Sequence, residues 1–181
     1  MLIRTIFSGF GGQGVLSMGY TVANTAMLEG KYVTYLPSYG VEVRGGTANC
    51  TVVVSDEEIS SPVASEPEFI VAMNQPSFFR FQSILQSGGL ICVNSSIVDT
   101  SSARGDIEIV AIPTSQLAEK LGTIKVANMI LLGAFVKASN IVSFEFLMKN
   151  LSEILGEGKS KLTKINREAL QMGFDYVKEC V

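Results

Sequence analysis

The chain contains no histidine. That removes the commonest general base near neutral pH and the commonest metal-ligating side chain, so a Ser/His/Asp triad, a Cys/His pair and most zinc sites cannot be assembled from it. Only three cysteines occur, Cys50, Cys92 and Cys180, far apart and without a CxxC spacing. They make neither an iron–sulfur ligand set nor an obvious disulfide framework, and a reduced, cytoplasmic setting is expected. Charge is scarce too: 17% of residues are charged, and 14 basic against 17 acidic side chains leave a net charge of −3. No stretch packs lysine or arginine densely enough to track phosphates, which argues against nucleic acid as a partner. Apolar runs stay well short of the roughly 18 residues that span a bilayer, and the N-terminus lacks a basic start and an AxA-like cleavage site. A soluble protein that is neither secreted nor membrane-bound is expected.

What the chain does have is apolar material, 47% of 181 residues. A chain of this length buries roughly 70% of its unfolded surface, so one domain over residues 1–181 is expected, and the composition excludes disorder. Leu2 to Ser8 reads as a strand, Gly9 to Gly14 as a tight turn, and Val15, Leu16, Met18, Val22, Ala23, Ala26 and Met27 recur at helical spacing up to Gly30. Further strands are predicted over Tyr32 to Leu36, closed by Pro37, and over Thr47 to Ser55, Phe69 to Ala72, Leu90 to Asn94 and Ile107 to Ile112. Helices are predicted from Pro76 to about Gln86, and after Pro113 with Thr114 or Ser115 as cap. Three more follow: Asn128 to Ala138, a helix capped by Ser143, and a last one with Leu162, Ile165, Ala169, Met172 and Tyr176 as its buried stripe.

Strands alternating with helices imply a three-layer α/β/α fold with a mostly parallel sheet. The ten-residue connection before Thr47 holds no helix, which suits an antiparallel neighbour and makes the sheet mixed. Charge is uneven along the chain. Residues 1–118 carry five basic and ten acidic groups, and residues 119–181 carry nine and seven.

Two segments carry candidate chemistry. Gly9, Gly11 and Gly14 match GxGxxG between a strand and a helix, where backbone amides and the helix dipole favour an anion. A dinucleotide fold also wants an acidic residue at the end of the second strand, where this chain has Pro37-Ser38. The glycines therefore fit a phosphate, a partner's backbone or close packing, and a free-standing Rossmann-type nucleotide-binding oxidoreductase is the competing class. The second segment, Tyr39 to Gly46, sets Glu42 and Arg44 among three glycines, either as a ligand loop or as a surface turn. Asn74, before Pro76, suits a helix cap, Asn94-Ser95-Ser96 a turn, and Cys50 and Cys92 read as small core residues.

The string GFGGQGV after the first strand, residues 28–63, MNQPS at 73–77, the Asn94-Ser95-Ser96 turn and residues 112–134 together resemble the gamma subunit of 2-oxoacid:ferredoxin oxidoreductases across essentially the whole chain. The most specific part is SYGVEVRGGTANC at residues 38–50. The family's loop usually reads PEMRGG; this chain keeps Glu42, Arg44, Gly45 and Gly46 but has Val41 and Val43 where Pro and Met are usual. Residues 7–63 look most like the 2-oxoglutarate branch, while pyruvate, branched-chain oxoacid and indolepyruvate enzymes share the module.

The resemblance implies the fold of the gamma domain of pyruvate:ferredoxin oxidoreductase. It also implies an enzyme that decarboxylates a 2-oxoacid on thiamine diphosphate, reduces ferredoxin through iron–sulfur clusters and forms acyl-coenzyme A. No cofactor, metal ligand or catalytic residue is assigned to this chain, which would be inactive alone. Thiamine diphosphate, magnesium and the clusters are expected on alpha and beta companions, with delta as a further one. Gly9, Gly11, Gly12, Gln13, Gly14, Ser38, Tyr39, Arg44, Gly45, Gly46 and Thr47 are the candidate contacts to coenzyme A or to a partner subunit, and Glu42, Arg44, Asn49 and Asn74 the candidate interface. Both segments follow strands early in one α/β unit, so they are expected to converge at one end of the sheet. So apolar a chain, with largely uncharged strand-end loops, is also expected to expose a hydrophobic patch for companions or a second copy.

Overall fold

A computed structural model describes residues 1–40, 46–156 and 160–179. Six strands are present: β1 Leu2–Phe10, β2 Tyr32–Tyr39, β3 Thr47–Ser55, β4 Phe69–Ala72, β5 Leu90–Asn94 and β6 Glu108–Ile112. They form one sheet in the order β2-β3-β1-β4-β5-β6. The pairs β1/β4, β4/β5 and β5/β6 are parallel; β3 lies antiparallel to both β1 and β2. The expected mixed α/β sheet is what forms.

Among the described residues six α-helices accompany it: α1 Val15–Leu28, α2 Gln75–Gln82, α3 Thr114–Lys120, α4 Ala127–Ser139, α5 Phe144–Leu155 and α6 Ser160–Glu179. Strand residues alternate in side, so consecutive residues of β1 belong to different cores. Phe7, with Cys50, Val52 and Val54 of β3, packs against Val15, Met18 and Val22 of α1 and Ile130, Leu131 and Phe135 of α4. Ile6, with Ile70, Ile91 and Val93, packs on the other side against Phe78, Phe81 and Leu85. The Phe135 ring stands edge-on to Phe7 and Phe69, at 5.4 and 5.8 Å, and ties α4 to the centre of the sheet.

Five sequence expectations need correction. β1 continues two residues beyond Ser8 to Phe10, because β3 pairs with it as far as Phe10↔Thr47. Pro37 lies inside β2 instead of ending it, which is tolerated because β2 is an edge strand that does not need every N–H. α2 stops at Gln82, where Arg104 Nη1 donates to the Gln82 and Leu85 carbonyls at 2.7 Å each and satisfies the helix end. Neither Thr114 nor Ser115 caps α3: Pro113 occupies the cap position, Thr114 Oγ1 is buried without a partner, and Ser115 Oγ accepts from Asn94 Nδ2. On α6, Ala169 is fully buried and Ile165, Met172 and Tyr176 pack against the core as expected, but Leu162 is 49% exposed, and Thr163, Leu170 and Val177 complete the buried side.

The burial of Leu170 follows from how α6 meets α4. A Cβ placed on Gly133 would lie 2.0 Å from the Leu170 carbonyl oxygen, and one on Gly173 would lie 1.8 Å from that of Ile130. The two backbones touch through paired glycines, so the face carrying Gly173 must turn inward. Gly173→Ala would push backbone against backbone and should cost about 2–3 kcal/mol, lowering Tm by several degrees in calorimetry. Gly105→Ala, which meets nothing within 4 Å, should change stability by less than about 0.5 kcal/mol.

Candidate functional site

α1 returns from β1 over one face of the sheet and α2 from β4 over the other, so the chain divides between β1 and β4. In open α/β sheets the crevice at the carboxyl ends of such strands is where ligands bind. Here it is built from the end of β1, the turn that follows and Met73-Asn74 after β4. Gly12 and Gly14 adopt φ of +99° and +78°, a region open to glycine. Gly14 is the N-cap of α1, and no side chain caps that helix. A Cβ on Gly9 would meet Gln13 Oε1 at 2.7 Å and Val15 Cγ1 at 2.8 Å, so this glycine lets the turn close on the strand.

Gln13 is the residue whose role the sequence did not reveal. Its Oε1 accepts from the Phe10 amide at 2.7 Å and from Asn74 Nδ2 at 3.2 Å, and its Nε2 donates to the Met73 carbonyl at 3.2 Å. One side chain thus bridges the end of β1 and the residues after β4 across the crevice, taking up the Phe10 amide and the Met73 carbonyl. Asn74 caps α2 as expected, its Oδ1 accepting from the Ser77 amide at 2.9 Å while its other end holds Gln13. On the far side of the turn, Asn128 Nδ2 lies 3.4 Å from the Gly14 carbonyl.

The glycine turn and the loop after β2 do converge. The Gly11 amide donates to the Gly46 carbonyl at 2.8 Å, and that of Gly40 to Thr47 at 3.3 Å. Strand register sets Ser38 opposite Asn49 and Asn49 opposite Ser8, a polar row at the same end of the sheet. Ser8 is fully buried, its Oγ donating to the Val71 carbonyl; the strand alternation would have pointed to it. Of the sequence candidates, Gly9, Gly11, Gly12, Gln13, Gly14, Ser38, Gly46, Thr47, Asn49 and Asn74 share this end. The backbone of Tyr39 belongs to it as well. Glu42, Arg44 and Gly45 lie outside the described residues, as does Cys180.

The described part of the site carries no charged side chain, so attraction for an anion there rests on the uncapped amides of the first turn of α1 and the helix dipole. Cys50 and Cys92 do not supply thiolates. Burial pushes the Cys50 thiol up to about 12, with lesser lowering from the Gly19 backbone and Tyr35, and burial raises Cys92 as well. Among the described residues no group of His, Cys, Asp and Glu could hold a metal ion. No described helix is long and apolar enough to cross a membrane.

A doubly wound α/β module with a glycine turn at its switch point, and an antiparallel strand next to β1 where a dinucleotide fold has a parallel one, defines the class. The chain belongs to the pyruvate ferredoxin/flavodoxin oxidoreductase family, which it matches over residues 4–176. It is 32% identical over 175 residues to the 2-oxoglutarate synthase subunit KorC of Methanocaldococcus jannaschii, covering 95% of this chain and 92% of that one. To the ketoisovalerate oxidoreductase subunit VorA of Methanothermobacter thermautotrophicus it is 36% identical over 177 residues, 98% of this chain. The chain spans 37% of the length of that VorA.

In structure it is similar to the gamma subunit of a keto/oxoacid ferredoxin oxidoreductase from Geobacter sulfurreducens, with a TM-score of 0.82 and 30% identity over 98% of this chain and 99% of that one. It also shares its fold with part of a 2-oxoglutarate:ferredoxin oxidoreductase from Magnetococcus marinus that has 2-oxoglutarate, coenzyme A and succinyl-CoA bound. That match has a TM-score of 0.89 and 22% identity, over 98% of this chain and 31% of that one.

Two measurements check the site's construction. Asn74→Ala should lose about 1–2 kcal/mol in urea unfolding, since it removes a helix cap and a donor to Gln13 together; Asn74→Asp, which keeps the cap alone, should lose less. At pH 8 Cys50 and Cys92 should resist iodoacetamide in the native protein and react at the rate of unfolding, followed by peptide mass spectrometry. Rapid native alkylation of either would contradict the buried, protonated thiols.

Proposed function

We propose that the chain serves as the gamma subunit of a cytoplasmic 2-oxoacid:ferredoxin oxidoreductase, with 2-oxoglutarate as substrate, and that it helps position coenzyme A without carrying the reactive centre. The alpha and beta companions, with delta as a further candidate, hold thiamine diphosphate, magnesium and the iron–sulfur clusters, and ferredoxin receives the electrons. The observation that carries this reading is the Gly11–Gly46 hydrogen bond. It joins the helix-capping glycine turn to the loop that contains Arg44, so that uncapped amides and a guanidinium fork can serve one phosphate-bearing ligand. Likeness to KorC supports 2-oxoglutarate, and likeness to VorA makes a branched-chain 2-oxoacid the competing substrate.

Anoxic purification from the native host should bring down companions with thiamine diphosphate and clusters, and the complex should prefer 2-oxoglutarate over ketoisovalerate and pyruvate in kcat/KM. A chain that purifies alone, or that binds NADH or NADPH in a fluorescence titration, would defeat the reading. Within the complex, Arg44→Lys keeps the charge but loses the fork. It should raise the KM for coenzyme A several-fold, on the order of 1 kcal/mol, and leave the oxoacid KM much less affected. Lost assembly with unchanged coenzyme A affinity would assign Glu42 and Arg44 to a subunit contact instead. No change in either would leave the loop a solvated turn.

A further inference from the structure

β1 and β4 pair in parallel as far as Ser8↔Ala72, and the Met73 amide donates to the Ser8 carbonyl at 2.9 Å. Parallel bonding steps along each strand by two residues. The next rung would therefore run from the Phe10 amide to the Met73 carbonyl, and the one after it from the Gln75 amide to the Phe10 carbonyl. Gln13 takes both places on the β1 side. The Phe10 amide donates to Gln13 Oε1 at 2.7 Å, and Gln13 Nε2 donates to the Met73 carbonyl at 3.2 Å. The Phe10 carbonyl accepts from the Gln13 main-chain amide at 3.1 Å. A carboxamide is thus spliced into the ladder where the two strands would otherwise close on each other.

The chemistry of that position is demanding. A group set between an N–H and a C=O must accept on one side and donate on the other; a carboxamide does both, whereas an ionised Glu only accepts. Two neighbours fix how the carboxamide lies. Asn74 Nδ2 donates to the same Oε1 at 3.2 Å, and Asn74 is itself held by the Ser77 amide at its Oδ1. Gly9 leaves the room, since a Cβ there would lie 2.7 Å from Gln13 Oε1 and 3.0 Å from Met73 Cβ. The neighbouring amide, that of Gly11, points the opposite way and donates to the Gly46 carbonyl at 2.8 Å. The last residues of β1 are therefore held from both sides, with a whole side chain between β1 and the residues after β4.

We propose that Gln13 is a spacer: its carboxamide keeps β1 and β4 from zipping together beyond Ser8 and so holds the crevice open for the ligand that enters it. It is a positioning residue, acting through the strand ends and without a bond to the ligand. That the ligand is coenzyme A rests on the function proposed above.

Gln13→Ala and Gln13→Ser shorten the side chain and free the strands to complete the ladder. In the full chain, isotope-labelled for NMR, scalar coupling across the hydrogen bond identifies the acceptor of the Phe10 amide. It should connect Phe10 to the Gln13 side-chain carbonyl in the unsubstituted protein and to the Met73 backbone carbonyl in both variants, with the Gly11–Gly46 bond retained. In the assembled enzyme the same variants should raise the KM for coenzyme A about fivefold and leave kcat and the oxoacid KM within about twofold. Damage to packing alone would instead lower the amount of assembled enzyme and leave that KM unchanged. The proposal is overturned if neither variant couples Phe10 to Met73. It is overturned equally if the ladder closes but the coenzyme A KM stays the same in an enzyme that Arg44→Lys does impair. Should Arg44→Lys and both Gln13 variants all leave that KM unchanged, the coenzyme A reading fails, and the coupling by itself decides for or against the spacer.

Discussion

Everything at the candidate site depends on the pairing of β1 with β3 over nine consecutive residues, from Leu2↔Ser55 to Phe10↔Thr47. This register decides that the strand ending at Phe10 lies beside the strand starting at Thr47, and so that Gly11 can reach Gly46. A slip of one residue would turn Cys50, Val52 and Val54 away from α1 and expose an entire face of β3. The hydrophobic pattern thus enforces the register, and the register delivers two distant loops to the same point. A purely parallel sheet would have placed a crossover helix between β2 and β3, lengthening the connection that here consists only of the loop.

Polar groups in the crevice are held by one another, with no charged side chain among them. Gln13 sits between the Phe10 amide, the Met73 carbonyl and Asn74, and Asn74 in turn holds the first turn of α2. Such a network fixes the turn without the desolvation cost of a buried charge. It also narrows what the crevice can do. Within the described part of the site the polar network supplies structure, and the glycine turn supplies only dipoles. That division explains why a GxGxxG string need not mean a dinucleotide.

The layers were readable from the chain because strand and helix periods are strong signals in so apolar a sequence. The antiparallel β3 was readable from the length of its connection. What escaped depended on tertiary neighbours. Pro37 looked like a strand end because the sequence does not say which strand lies at an edge. On α6 the expected stripe failed only at Leu162, but it missed Leu170 and Gly173, because Gly133 and Gly173 bring two backbones together and a glycine leaves no hydrophobic mark. Arg104 ends α2 from 22 positions beyond Gln82, a contact no local pattern encodes. At the site, the glycines and Asn74 were legible as turn and cap. Gln13 was legible only as a member of the turn, since its three partners come from the end of β1 and from Met73-Asn74 after β4.

The two faces of the sheet are also built to different depths. α4 is buried along nearly its whole length, clamped between the sheet and α6. The opposite face is covered by the eight-residue α2 and the connection around Ala64. Beyond that cover, β2 and β3 carry Tyr32, Leu36, Ser38, Asn49 and Thr51 as a face left partly open. The dense packing is therefore concentrated under α4, while the partly open face lies on the β2 side of the sheet. The core is complete under α4 without cover on the β2 side, and exposed Tyr32 and Leu36 are what that asymmetry leaves at the surface.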